Sequence, residues 1–278
     1  MMRFFLPSLL TFLGCDSGET ATDTGDAAAD SDTDTDTDTD TDTDTDTDTD
    51  TGPMKATLTG TISLPDGSPA ENFRVNVCDE TVCITSKSGA DGSYTVAGIA
   101  EGNASFYVQA VGDTEYGVPY APLAFVAGES QSVSISLREV DGTTSLSGNT
   151  EHWLGDWAIL DAEATTYTTS LGGAISEVTW TRTEGLVERP PVAFEGETLL
   201  GLIYLGAFEG EAEEPGTLSF PNPGNLPAGT EIKVYYAELP VISVWSLGGT
   251  LTVVEGEEML SGTASLPVLT ALAMTMPN

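Results

Sequence analysis

The sequence predicts an all-β chain: two tandem antiparallel β-sandwich domains preceded by a signal peptide and a disordered acidic linker. Three observations carry this. Beyond residue 53, short period-two runs alternate with Gly-, Pro- and Asp-rich turns, and no helical window interrupts them. Ahead of them, Ser31 to Gly52 is an Asp-Thr alternation with no apolar residue. Before that, Arg3 precedes an apolar stretch, Phe4 to Leu13, too short to span a bilayer as a stable helix.

At 278 residues the chain has room for one large domain or two ordinary ones. It holds 8 Lys and Arg against 44 Asp and Glu, a formal charge of −36. That field repels nucleic acid and anionic head groups, so no nucleic-acid partner is expected. The tract is not the whole source. Fifteen of the acidic residues lie between Asp16 and Asp50, which leaves 29 elsewhere, so the folded part is acidic too. A single His, His152, provides poorly for triad catalysis or a zinc centre, and no cofactor or metal is expected.

Gly14-Cys15 follows the apolar stretch directly. MMRFFLPSLLTFLGC resembles a bacterial lipoprotein signal peptide, in which a small residue precedes a Cys that is lipidated and becomes the new N-terminus. The family prefers Leu three residues before the Cys; here Phe12 stands there, with Leu13 next. The resemblance implies that residues 1–14 are removed and that Cys15 is the lipidation site. An ordinary secretory signal cleaved elsewhere and an internal core helix are the alternatives. Acyl chains contribute about 0.8 kcal/mol per buried methylene, and two or more make anchoring stable. The expected partner at this end is therefore the membrane, and the expected location the cell envelope. Outer membrane or cell surface is favoured. Asp16 resembles an inner-membrane retention signal of enteric bacteria and keeps the inner membrane open.

Residues 15–53 are read as the lipidated Cys and a Thr-Asp linker. Like charges recur every second residue, Thr and Asp are poor helix formers, and no apolar surface offsets chain entropy. Self-repulsion extends such a segment. A spacer is the favoured role, ahead of a weak cation sponge or a glycosylated Thr stalk. Acidic Thr-Asp tethers of this kind are similar to those of lipoproteins from myxobacteria and related Gram-negative bacteria.

Residues 54–140 form the first predicted domain. In ATLTGTISL, Leu58, Ile62 and Leu64 share one face and threonines the other. In FRVNVC, Phe73, Val75 and Val77 point inward, Arg74 and Asn76 outward. Tyr94 and Val96 alternate after the Asp91-Gly92-Ser93 turn, FYVQA follows Gly98 and Gly102, and SVSISL closes the set. The succession Asp66-Gly67-Ser68-Pro69, Val75-Val77, Asp91 to Val96 and Gly98-Ile99 to Gly102 resembles a carboxypeptidase regulatory-like domain, a prealbumin-like sandwich. It covers about a third of the chain. The resemblance implies a non-catalytic add-on module in an extracytoplasmic protein, with no active-site residue to carry over. With Cys15 lipidated, Cys78 and Cys83 remain, enclosing four residues between two predicted strands; in an oxidising compartment they read as a hairpin disulfide.

Residues 145–278 form the second β-sandwich-like domain. Strands are expected at 175–182, 198–208, 231–239, 241–245 and 250–256, with turns at Pro-Asn-Pro-Gly and Pro-Ala-Gly. LLGLIYLGAF is nearly continuous in apolar residues and is expected centrally in the sandwich. The stretch HWLGDW offers the candidate ligand-binding residues Trp153, Asp156 and Trp157, to which Tyr236 is added: an aromatic platform for sugar with a carboxylate acceptor. The favoured reading of these aromatics is packing, with His152 on the surface. Glu211, Glu213 and Glu214 are placed in a solvent-facing loop.

No catalytic residue is predicted. The expected function is a non-enzymatic structural or binding module on a tether, with carbohydrate or an envelope protein as candidate partner. Polysaccharide binding is the first alternative and a carboxylate-dependent hydrolase in the second domain the least favoured.

Overall fold

A computed structural model describes residues 54–278 except 110–114, 148–150, 163–164, 170–171, 184–193, 207–209, 223–224 and 239–243. Cys15, the signal peptide and the acidic linker lie outside the described residues. Among those described, every helix or strand element is a strand, and the all-β expectation holds.

The first sandwich comprises β1 (Ala56–Ser63), β2 (Arg74–Cys78), β3 (Cys83–Lys87), β4 (Ser93–Ile99), β5 (Gly102–Gln109), β6 (Tyr120–Phe125), β7 (Ser130–Ser132) and β8 (Ile135–Ser136). One sheet runs β4-β1-β7 with β8 also on β1; the other runs β3-β2-β5-β6. The alternation places Leu58, Ile62, Val75, Val77, Tyr94, Val96, Val133, Ile135 and Leu137 in one core between the sheets. Burying side chains of this size stabilises by about 1.5–3 kcal/mol each. Asp66 and Asp91 build the turns. Each carboxylate accepts from the N–H and hydroxyl of the Ser two residues on, at 2.9 and 2.6 Å from Ser68 and 3.0 and 2.6 Å from Ser93. In the β2–β3 hairpin Asp79 accepts from Thr81 N, Thr81 Oγ1 and Val82 N. Cys78 and Cys83 are direct cross-strand partners, and a disulfide joins them.

The second sandwich comprises β9 (Gly142–Ser145), β10 (Glu151–Leu154), β11 (Ala158–Asp161), β12 (Tyr167–Thr168), β13 (Glu177–Thr183), β14 (Glu197–Gly206), β15 (Gly210–Ser219), β16 (Glu231–Ala237), β17 (Trp245–Thr252), β18 (Ala264–Leu269) and β19 (Ala271–Pro277). A six-stranded sheet runs β17-β16-β19-β14-β13-β9, and a five-stranded one β10-β11-β15-β12 with β18 on β15. Ile203, Leu205, Ile232, Val234, Leu272 and Met274 of the first pack against Leu154, Leu160, Leu218 and Leu266 of the second.

Three local expectations need correcting. Trp245 and Thr250–Thr252, read as parts of two strands, belong to the single strand β17. Gly248-Gly249 looks like a turn, but these residues are glycine for another reason: a Cβ on them would lie 2.7 Å from the Ser265 carbonyl oxygen and 2.4 Å from that of Thr263, so β17 runs against β18 and its approach. Glu211, Glu213 and Glu214 lie within β15, where the register with β18 jumps between Glu211 and Gly216; the bulge leaves Glu213, Glu214 and Pro215 exposed. Asn76 does point away from the first core, but it is buried and accepts from Thr85 Oγ1 at 2.9 Å.

A third buried cluster joins the two sandwiches. Cys78 and Tyr107, from the outer face of the first sandwich, and Tyr120 of β6 meet Leu202, Tyr204, Ala237, Ala271 and Ala273 of the six-stranded sheet. The Tyr120 hydroxyl lies 3.0 Å from Ser105 Oγ and 3.4 Å from the Glu238 carbonyl oxygen, and its ring meets Trp245 edge-on at 6.4 Å. Burial pushes this phenol up to about 12. Two of the four sheets thus have apolar contacts on both faces, and the sandwiches stack as four layers. This explains β14, whose residues alternate between the second core (Ile203, Leu205) and the seam (Leu202, Tyr204).

Candidate functional site

Leu154 pairs with Ala158 across the β10–β11 turn, so Gly155-Asp156-Trp157 form its tip. Gly155 adopts φ +63°, and a Cβ there would lie 2.6 Å from the Trp180 ring; at Gly142, opposite, the distance is also 2.6 Å. Two glycine backbones therefore close on one indole. On β10 alternate residues face opposite ways. His152 shares the inward face with Leu154 and is 4% exposed, which corrects its expected surface position. Trp153 faces outward and is 50% exposed.

Trp157 is half-buried, packed on the second core with its ring 5.3 Å from Phe220 at 88°. It stands between two clefts. One, of about 280 Å³, is lined by Arg138, Asp141, Asp156, Trp157, Trp180 and Arg182. The other, of about 200 Å³, is lined by Trp157, Leu200, Gly201, Asn225, Leu226 and Met274. Leu200 is outside the ladder because the β14–β19 register shifts between Leu199 and Gly201. A third cleft, of about 520 Å³, shares Arg138 and Asp141 and follows the segment linking the sandwiches. The three clefts adjoin through these shared lining residues and are together called the groove.

The first cleft is preorganised. Asp141 N–H donates to the Trp180 carbonyl oxygen at 2.9 Å, and Asp141 Oδ2 accepts from the Arg182 backbone N–H at 2.6 Å. Arg182 Nη1 lies 3.5 Å from Asp156 Oδ1, the two side chains being 34% and 93% exposed. The linker that delivers Arg138 and Asp141 is held by Gly117 N–H on the Arg138 carbonyl and Val140 N–H on the Glu115 carbonyl. Two Arg and two Asp line the cleft, so its lining carries no net formal charge on a strongly acidic chain.

Of the sequence candidates, the fold brings Asp156 and Trp157 together. Trp153 and Tyr236 line none of these clefts; Tyr236 packs on the second core. Sequence reading missed Trp180, Arg138, Asp141 and Arg182. The scarcity of cations was the available signal, since two of only eight converge here. Among the described residues no group of three or more His, Cys, Asp or Glu converges to hold a metal ion.

A separate polar knot lies on the seam side of the six-stranded sheet. Glu197 accepts from Lys233 Nζ at 2.6 Å, Tyr235 Oη at 3.1 Å and Thr275 Oγ1 at 2.5 Å, drawing β14, β16 and β19 together. Burial opposes its ionisation, but these three donors outweigh burial and hold Glu197 below the usual carboxylate range. Phe194 stacks on Tyr235 at 4.6 Å and meets Trp245 at 5.8 Å beside it.

No protein-family profile matches the chain. No curated protein matches it. Among solved structures, it is similar to the Bacillus anthracis TIE protein, with a TM-score of 0.28 and 10% identity over 78% of this chain and 48% of that one. A DUF3823 family protein from Parabacteroides merdae gives 0.26 and 6%, over 77% of this chain and 100% of the other. The Streptococcal ancillary pilin gives 0.26 and 12%, over 77% and 62%. The chain spans about half the TIE protein and under two thirds of the pilin. At TM-scores below 0.5 these likenesses say nothing of what this chain binds.

Proposed function

We propose that the chain is a lipid-anchored cell-envelope protein whose folded part is a non-enzymatic binding module, with the groove beside Trp157 as its contact surface. Residues 1–14 are a removed signal peptide, Cys15 carries acyl chains, and residues 15–53 are the spacer. Residues 54–140 are a carboxypeptidase regulatory-like sandwich, and a second sandwich follows. The groove carries the binding part of this reading: it is built from the linker, the second sandwich and, at Pro65 and Ser136, the first, and its central cleft is held by backbone hydrogen bonds before any ligand arrives. The anchoring part is supported by MMRFFLPSLLTFLGC and by the acidic alternation after it. The regulatory-like part is supported by the Asp66 and Asp91 turns and by positive φ at Gly98 and Gly102, where the resemblance places its glycines. Outer membrane or cell surface is the proposed location.

Intact mass of the protein extracted from membranes with detergent tests the anchor. The expected product begins at Cys15, carries added acyl mass, and has Cys78 and Cys83 oxidised. A water-soluble product retaining an unmodified Cys15 overturns it.

A further inference from the structure

We infer that the groove binds a neutral glycan chain, laid along the interdomain linker and across Trp157; this rests on the binding-module reading above and names its ligand. Three adjoining clefts that share residues suit a polymer better than a compact metabolite, because each cleft offers a place for successive units. The two clefts flanking Trp157 are each below the roughly 300 Å³ typical of a small-molecule site.

The lining chemistry selects the class. Trp157 supplies flat apolar surface that fits the C–H face of a pyranose ring, and Trp180, held by Gly142 and Gly155, forms part of the wall beside it. Arg138 and Arg182 can only donate hydrogen bonds, and Asp141 and Asp156 can only accept them while ionised. Vicinal hydroxyls each donate and accept, so alternating guanidinium and carboxylate groups satisfy both halves of a diol. Asp156 at 93% side-chain exposure and Arg182 at 34% stand at the rim, within reach of an incoming chain. Asn225 and the Leu200 bulge repeat the polar-beside-apolar pattern on the far side of Trp157.

Charge narrows it further. Two Arg against two Asp leave the central cleft with no net positive charge, and the whole chain carries −36. A uronate, phosphate or sulfate polymer is repelled at long range and finds no compensating local excess of cations. An uncharged glycan pays neither cost.

The test titrates the full chain with soluble neutral hexasaccharides of α- and β-linked glucose and β-linked N-acetylglucosamine, and with an oligogalacturonate as the polyanion. Binding is read by calorimetry and by tryptophan fluorescence. The expected result is saturable binding of at least one neutral hexasaccharide, little changed between low and physiological salt, and none of the polyanion at either. Trp157→Ala should weaken that binding about tenfold or more. Because Trp157 also packs on the core, Asp156→Ala serves as the second variant; it should weaken binding severalfold with an unchanged melting temperature. Neutral-glycan binding that survives both substitutions overturns the assignment to this groove. Preferential binding of the oligogalacturonate overturns the class. If no saccharide binds, but the full chain still associates with isolated cell envelopes and Asp156→Ala abolishes this, the glycan inference falls while the binding-module reading stands. If envelope association is absent as well, both fall.

Discussion

Replacing Glu197 with Ala should be among the most damaging single changes to the second sandwich. Its carboxylate side chain is 8% exposed and accepts from donors on two flanking strands. Removing it strands the hydroxyl of Thr275, a residue with no exposure, and that of Tyr235 under Phe194. A hydrogen bond to a charged acceptor contributes about 1.5–3 kcal/mol. The Lys233 side chain reaches solvent and regains water, so it is left out; the two remaining bonds give a loss of roughly 3 kcal/mol. Glu197→Gln keeps an acceptor in place and should lose about half as much. The assay is urea unfolding of the full chain at pH 7, wild type against both variants. The same carboxylate dictates a pH dependence. Its folded pKa lies below the ordinary value of 4.5, so its stabilisation is fully present above about 4.5 and is lost as pH falls through the lower folded value. The Glu197→Ala variant should therefore show a shallower acid loss of stability than wild type. A variant within 0.5 kcal/mol of wild type, with an unchanged acid limb, would refute the assignment of this knot as a three-strand clamp.

Tyr120→Ala empties the seam and should cost about 3–5 kcal/mol; calorimetry should show one cooperative transition in wild type and two separable ones in the variant. Gly155→Ala must place a methyl 2.6 Å from the Trp180 ring at φ +63°, a cost of about 2–4 kcal/mol by thermal melting. Gly172→Ala has a similar φ of +81° but open space, and should lose only about 1 kcal/mol. Cys78→Ser with Cys83→Ser opens a short loop and should lower stability by about 2 kcal/mol in chemical denaturation, matched by the effect of a dithiol reductant on wild type.

The first sandwich was legible in the sheet that holds β1 and β4, whose strands are covered on one face and more open on the other: Leu58 and Ile62 against Thr57 and Thr59 spell out the period. Its turns announce themselves through Asp-Gly-Ser. The second was harder for a physical reason. β19, ALAMTMP, lies between two strands with apolar cover on both faces, so alternation vanishes, and Ala, Leu and Met carry no strand preference. β18 holds a Pro, and β9 to β12 have two to four residues each, below the length at which a period shows. For the groove, Asp156 and Trp157 were visible because they are neighbours in one turn. Arg138, Asp141, Trp180 and Arg182 come from the linker and another sheet, and only the fold sets them beside that turn. His152 was misplaced because polarity suggested water, where strand parity with Leu154 dictated the interior.

The placement of the first and last strands among the described residues has a mechanical consequence. β1 is hydrogen-bonded to β4 on one side and to β7 and β8 on the other, while β19 lies between β14 and β16. Traction applied along the backbone at either end of the described region would meet two ladders sheared together, with no outermost ribbon to peel away rung by rung.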